Sequence, residues 1–112
     1  MSPLVGFTTF KEKLIDGSKT QTIRRPRKYP IKVGDTLYLY WKLRTNQCQK
    51  LGEGRVTKVV TKKLEEMTND DAKKDGFVDI VEFMDLFTLM HPKAYMDDDF
   101  DIITWQWTTK LV

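Results

Sequence analysis

The run Thr36-Leu37-Tyr38-Leu39-Tyr40-Trp41 constrains the fold of this 112-residue chain more than any other feature. Leu37, Leu39 and Trp41 alternate with Tyr38 and Tyr40, the two-residue period of a strand. Both faces are apolar or aromatic, so both must be covered, which puts the strand inside a sheet rather than on one exposed side of it. Val33-Gly34-Asp35 is the turn that leads in, and LRTNQCQK turns the chain again. LGEGRVTKVVTKKL then predicts a second strand, in which Gly52 and Gly54 mark a bulge or a close backbone approach. FDIITWQWTT sets Ile103, Trp105 and Trp107 against Ile102, Thr104 and Gln106, the pattern of a terminal strand.

Helices are written between these strands. Thr9-Phe10-Lys11-Glu12 has the spacing of a capping box and predicts a helix from about Phe10, its stripe formed by Phe7, Phe10 and Leu14 and its end set by Asp16-Gly17. Thr68 is a good cap for a short helix running into Gly76. Asp79, with Glu82 three residues on, caps a longer one that lays Ile80, Phe83, Met84, Phe87 and Met90 on the sheet and stops before Pro92. Lys19 to Ile23 suits a short strand, after which Pro26 and Pro30 force RRPRKYP into an extended loop. Strands and helices interleave without a repeated parallel unit, which predicts an α+β class with a curled, partly antiparallel sheet.

A hydrophobic share of 40% beside 31% charged residues is a globular balance, and the length fits one domain over residues 1–112. A single cysteine, Cys48, excludes an intramolecular disulfide. The opening MSPLVGF carries no signal-peptide pattern, and no apolar run approaches the roughly 18 to 20 residues that cross a bilayer, so a cytoplasmic monomer is expected. The net charge of +3 hides a polarity: residues 1–63 hold 15 Lys/Arg and 4 Asp/Glu (+11), and residues 64–112 hold 4 and 12 (−8). Either the first half receives an anion or the two halves neutralise each other across the surface.

Most standard chemistry is excluded. His91 is the only histidine, placed to cap a helix or sit at the surface, so no Ser-His-Asp triad, Cys-His pair or imidazole metal site can be assembled. Gly52 and Gly54 lack the spacing and the Lys-Ser/Thr ending of a phosphate loop. Asp97-Asp98-Asp99 with Asp101 lacks the glycine and distal Glu of a calcium loop and is read as a solvated turn. No metal and no cofactor is expected.

What remains is GSKTQTIRRPRK, Gly17 to Lys28. A lysine beside a hydroxyl becomes a nucleophile unit when desolvation or neighbouring cations lower the ammonium pKa, and Arg24 and Arg25 are close in sequence. The same guanidinium forks could instead hold a phosphate or a base carbonyl. A regular strand would send Lys19 and Thr22 to opposite faces, so the two share a pocket only if the chain bends near Ser18-Lys19. Without such a bend the segment is an exposed basic strand and loop.

Gly17-x-Lys19-x-x-Thr22-x-Arg24 resembles the signature of the activating-signal-cointegrator homology (ASCH) domain, G-x-K-x-x-E-x-R in most of that family. The preceding helix, the Gly34-Asp35 turn, Gly52-Glu53-Gly54 and Asp75-Gly76-Phe77 follow in family order. The resemblance implies a small PUA-like β-barrel of about five or six strands with two or three flanking helices, and a cleft suited to RNA or a nucleoside. Thr22 in place of Glu is similar to the branch of small bacterial N4-acetylcytidine amidohydrolases, whose motif reads K-x-x-T-x-R. There the matched Lys and Thr are catalytic, the Thr as nucleophile, together with a Glu further along. The nearest alignable position for that Glu is Asp75, one methylene shorter, with Asp71 and Glu82 as weaker substitutes.

Two functions are therefore expected at one place. The first is binding of RNA or a modified nucleotide, with Lys19, Arg24, Arg25, Arg27 and Lys28 meeting the ligand and Tyr40 or Trp41 stacking a base. The alternative is hydrolysis: deacylation of N4-acetylcytidine or a related base by Lys19, Thr22 and Asp75, or ribonuclease chemistry in the same cleft. A protein-interaction adaptor is the third possibility, with the charge polarity then serving only self-complementarity.

Overall fold

The structure, a computed structural model, describes residues 3–112. The chain runs β1 (Leu4–Phe7), α1 (Lys11–Ile15), β2 (Gln21–Arg24), β3 (Thr36–Trp41), β4 (Gln49–Lys63), α2 (Asn69–Asp75), α3 (Ile80–Met90) and β5 (Asp99–Lys110), with a single 3-10 turn at Leu64–Glu66 before α2. The five strands form one mixed sheet in the order β1-β3-β4-β5-β2, with β1 parallel to β3 and every other pair antiparallel. This is a small α+β fold with three helices around a curled sheet. As its two apolar faces require, β3 lies inside the sheet.

The barrel does not close. Within the described residues, β1 and β2 are the edges of the sheet. β2 ends at Arg24, and the loop through Pro26 and Pro30 carries the chain off the ladder, since proline has no amide to donate. Two side chains reach β1 across the seam: Arg24 donates from Nη2 to the carbonyl oxygen of Gly6, and Arg27, in the loop after β2, donates to that of Leu4. The curled, partly antiparallel sheet expected from the strand pattern is present, as an open half-barrel where the family resemblance implies a small β-barrel.

Curling comes from β4 and β5, which pair along most of their length with register shifts at Glu53/Gly54 and Val56/Lys58. Gly52 is needed there because a Cβ on it would lie 2.1 Å from the Thr109 carbonyl oxygen. One apolar cluster is centred on Leu37, Leu39, Leu51, Val56, Ile103 and Trp105. A second, which includes Ile23, Met67, Phe77, Phe83, Phe87 and Phe100, joins the sheet to α2 and α3. Adjacent residues of β5 feed different clusters, Ile103 the first and Ile102 the second, as strand alternation dictates.

The helix caps follow the sequence at α2 and α3 and depart from it at α1. Thr68 accepts from the Asp71 amide at 3.1 Å, and Asp79 accepts from the Glu82 amide at 2.9 Å. The Thr9 box is not made. α1 begins one residue later, behind Phe10 in a left-handed conformation (φ 61) with no side-chain cap. That conformation aims the Phe10 ring at Phe77, edge to face at 5.0 Å, so tertiary packing overrides the local cap. Three of the five ion pairs among the described residues join the basic half to the acidic half: Lys19–Asp75, Arg25–Asp98 and Lys62–Asp71.

Candidate functional site

Gly17 takes φ 80 at the end of α1, and the Lys19 amide then donates 2.9 Å back to the Lys13 carbonyl. This is the bend at Ser18-Lys19 that a shared pocket requires. The strand starts only at Gln21, so Lys19 escapes the alternation and its side chain turns to the same cavity as Thr22. Trp107 holds the bend from behind, donating from Nε1 to the Lys19 carbonyl at 3.2 Å. The C-terminal Trp-rich strand thus positions the motif.

Asp75, the last residue of α2, meets Lys19 from the other side. Lys19 Nζ donates to the Asp75 carbonyl oxygen at 2.5 Å and lies 3.4 Å from its Oδ1. Both residues are buried, at 4% and 7% exposure. The Phe10 and Phe7 rings flank the ammonium at 5.2 and 5.8 Å. Burial pushes the Asp75 carboxyl up to about 6 against the opposing pull of Lys19 and Arg24, and burial lowers the Lys19 amine against the pull of Asp75. Both shifts run toward the uncharged forms, and the proton belongs to the pair.

Thr22, 5% exposed, accepts from Arg24 Nε at 3.1 Å. One lone pair is thereby occupied while the hydroxyl hydrogen stays free to leave. Arg24 is fixed by this bond, by the Gly6 carbonyl and by the face of Phe7 at 4.9 Å. Burial, with the charge of Arg27 adding to it, brings the Arg24 guanidinium down to about 10, so it stays charged at neutral pH.

These groups line one cavity of about 320 Å³ at the open seam of the sheet, walled by Phe7, Phe10, Phe77 and Phe87. Its size and its mixture of aromatic walls with hydroxyl, carboxyl and cationic groups suit a small planar ligand that carries polar substituents. Arg25 and Arg27 also line it, Arg25 lying 3.4 Å from Asp98 Oδ2. Lys28, Tyr40 and Trp41 do not line it. Lys28 stands over Tyr29 at the neighbouring opening, and Tyr40 and Trp41 are held in β3 between β1 and β4. Asp71 and Glu82, the other candidates for the acid, are engaged elsewhere: Asp71 pairs with Lys62 at 2.7 Å, and Glu82 accepts from the Val78 amide.

His91 is the residue the sequence does not reveal. It ends α3, stacks against Phe87 at 4.4 Å and lines the cavity. Burial, then the charges of Arg25 and Arg24, hold its imidazole below the ordinary value, so it stands neutral at pH 7. Among the described residues, no group of three or more His, Cys, Asp or Glu could hold a metal ion, and no helix is long and apolar enough to cross a membrane.

Comparison with known proteins gives a fold without a function. No family model matches the chain, and no curated protein matches it. It is similar to the crystal structure of protein EF3133 from Enterococcus faecalis V583, of family DUF984, with a TM-score of 0.68 and 16% identity over all of this chain and 84% of that one.

Proposed function

We propose that this chain is an ASCH-type domain that binds a modified nucleoside at the seam cavity and hydrolyses an N-acyl amide on its base, as in N4-acetylcytidine. The observation that carries this is the convergence of Lys19, Thr22 and Asp75 on one aromatic-walled cavity. Three residues singled out by the signature and its alignment come from two distant segments, and burial moves two of them toward the protonation states that acid–base catalysis needs.

The hydrolysis balances with these three groups and one water molecule. Thr22 Oγ1 attacks the acyl carbonyl carbon as its proton passes to the Lys19 amine. The Asp75 carboxylic acid protonates the exocyclic nitrogen as the C–N bond breaks, leaving an acyl ester on Thr22 and the free amino base. Water then attacks the ester, giving a proton to the Asp75 carboxylate. The Thr22 oxygen recovers its proton from the Lys19 ammonium as the carboxylic acid departs, so both catalytic groups return to their starting states. The aromatic walls present faces on which the base can stack.

Incubation with N4-acetylcytidine followed by chromatography for cytidine tests the proposal. Thr22→Ala is expected to lower turnover by at least about 1,000-fold, as loss of a nucleophile does elsewhere. Thr22→Ser should retain part of it. Equal turnover by the wild type and Thr22→Ala would contradict the assignment.

A further inference from the structure

Beyond Arg24 and Arg27 the seam continues into a second cavity of about 310 Å³, which shares those two arginines and Gly6, Phe7 and Thr8 with the first. Arg44, on the turn after β3, completes its far side. Three guanidinium groups from two distant segments thus surround one space that no acidic side chain lines. None of the three is ion-paired among the described residues. Asp98 and Asp75 are committed to other cations, Arg25 and Lys19.

The cavity is built rather than incidental. Arg24 and Arg27 each spend one Nη on a carbonyl of β1, at Gly6 and at Leu4 (2.7 Å), and Arg24 gives its Nε to Thr22, which fixes both forks and leaves Nη1 of each free to donate. The turn bearing Arg44 lies against β1 because residue 6 is glycine: a Cβ there would come within 2.8 Å of the Leu43 Cβ. Lys42 and Arg44 both adopt positive φ, at 48° and 68°, which side chains rarely do. The Lys42 amide anchors the turn to the Phe7 carbonyl at 2.8 Å. Backbone strain and a close approach therefore hold an unpaired arginine at this position.

We infer that the second cavity is a phosphoryl subsite, so that a ligand whose base faces Lys19, Thr22 and Asp75 places a phosphate among Arg24, Arg27 and Arg44. The inference rests on the nucleoside reading for the first cavity. Fixed guanidinium forks match phosphoryl oxygens in geometry and charge. The phosphate belongs either to a free nucleotide or to a strand. A strand would continue past Arg44 into the adjoining groove of about 930 Å³ lined by Lys28, Tyr29 and Lys32.

Calorimetric titration separates these cases, with cytidine, cytidine monophosphate, inorganic phosphate and a short oligocytidylate as probes. The proteins are the wild type, Arg44→Ala and Arg44→Glu; Arg44 is exposed, so neither variant disturbs the core. The monophosphate is expected to bind about 10- to 100-fold more tightly than cytidine, the range of a hydrogen bond between charged groups. Arg44→Ala should collapse that ratio toward one, and Arg44→Glu should invert it. An oligocytidylate tighter than the monophosphate, with a steeper salt dependence, identifies a strand as the source; equal or weaker binding identifies the free nucleotide. If the base reading alone fails, the monophosphate binds no better than inorganic phosphate while phosphate binding is still lost in Arg44→Glu, and the subsite stands. Equal wild-type affinities for cytidine and its monophosphate, or a ratio untouched by either Arg44 variant, would overturn it.

Discussion

Replacing Asp75 by Asn removes one ionisation from the buried pair with little change of shape, and the consequence for stability is fixed by pH. The Asp75 carboxyl titrates at about 6 in the folded protein against an ordinary value of 3.8. A raised carboxyl pKa means that the folded state binds the proton more tightly. The stability it contributes is therefore complete below about pH 3.8 and is lost as pH rises through about 6. The gap, at about 1.4 kcal/mol per pH unit, amounts to about 3 kcal/mol. Asp16 and Asp71, whose carboxyls lie below the ordinary value, titrate in the opposite sense but are present in both proteins, so their effects cancel in the difference. Urea unfolding followed by tryptophan fluorescence, with Trp105 fully buried as reporter, gives that difference between about pH 3.5 and 7. Wild-type stability minus that of Asp75→Asn should fall by about 3 kcal/mol over the interval, the scale set by the titration gap. A flat difference, or a wild type that gains on the variant as pH rises through 4, would refute the account of a carboxyl dominated by burial.

Gly52→Ala should destabilise the protein by about 3 kcal/mol in the same unfolding assay, because its Cβ would overlap the Thr109 carbonyl and force β4 from β5. Thr68→Ala should cost about 1 kcal/mol through loss of the capping box of α2, and it should also lower turnover, since α2 carries Asp75 at its other end. Arg25→Ala should change stability by less than about 0.5 kcal/mol, as its 3.4 Å pair with Asp98 is partly exposed.

Signals confined to a few residues were legible in the sequence. The Thr68 and Asp79 caps, the glycine ending α1 and the alternation along Leu37 to Trp41 each depend on neighbours in the chain. Phe10 shows the limit. Its local box predicts a cap at Thr9, but packing on Phe77 holds Phe10 in a left-handed conformation that no local pattern announces. The open seam was equally hidden, because whether β1 meets β2 is decided by the reach of a short edge strand and not by any residue pattern. At the site, Lys19, Thr22 and Arg24 fall within one short motif. Asp75 became a candidate only through family resemblance, and His91 through nothing in its own neighbourhood. The aromatic walls looked like core because most of them are also core: Phe7 belongs to one apolar cluster, Phe77 and Phe87 to the other, and the cavity opens where the two clusters meet.

The proposed role of Thr22 as the nucleophile of a site completed by Lys19 and Asp75 can be read from the covalent state of the protein during turnover. After rapid mixing with N4-acetylcytidine, acid quench and peptide mass spectrometry, one acetyl group is expected on the peptide containing Thr22, formed as cytidine appears and absent from Thr22→Ala. Cytidine released at the same rate without Thr22, or no cytidine released at all, would contradict it.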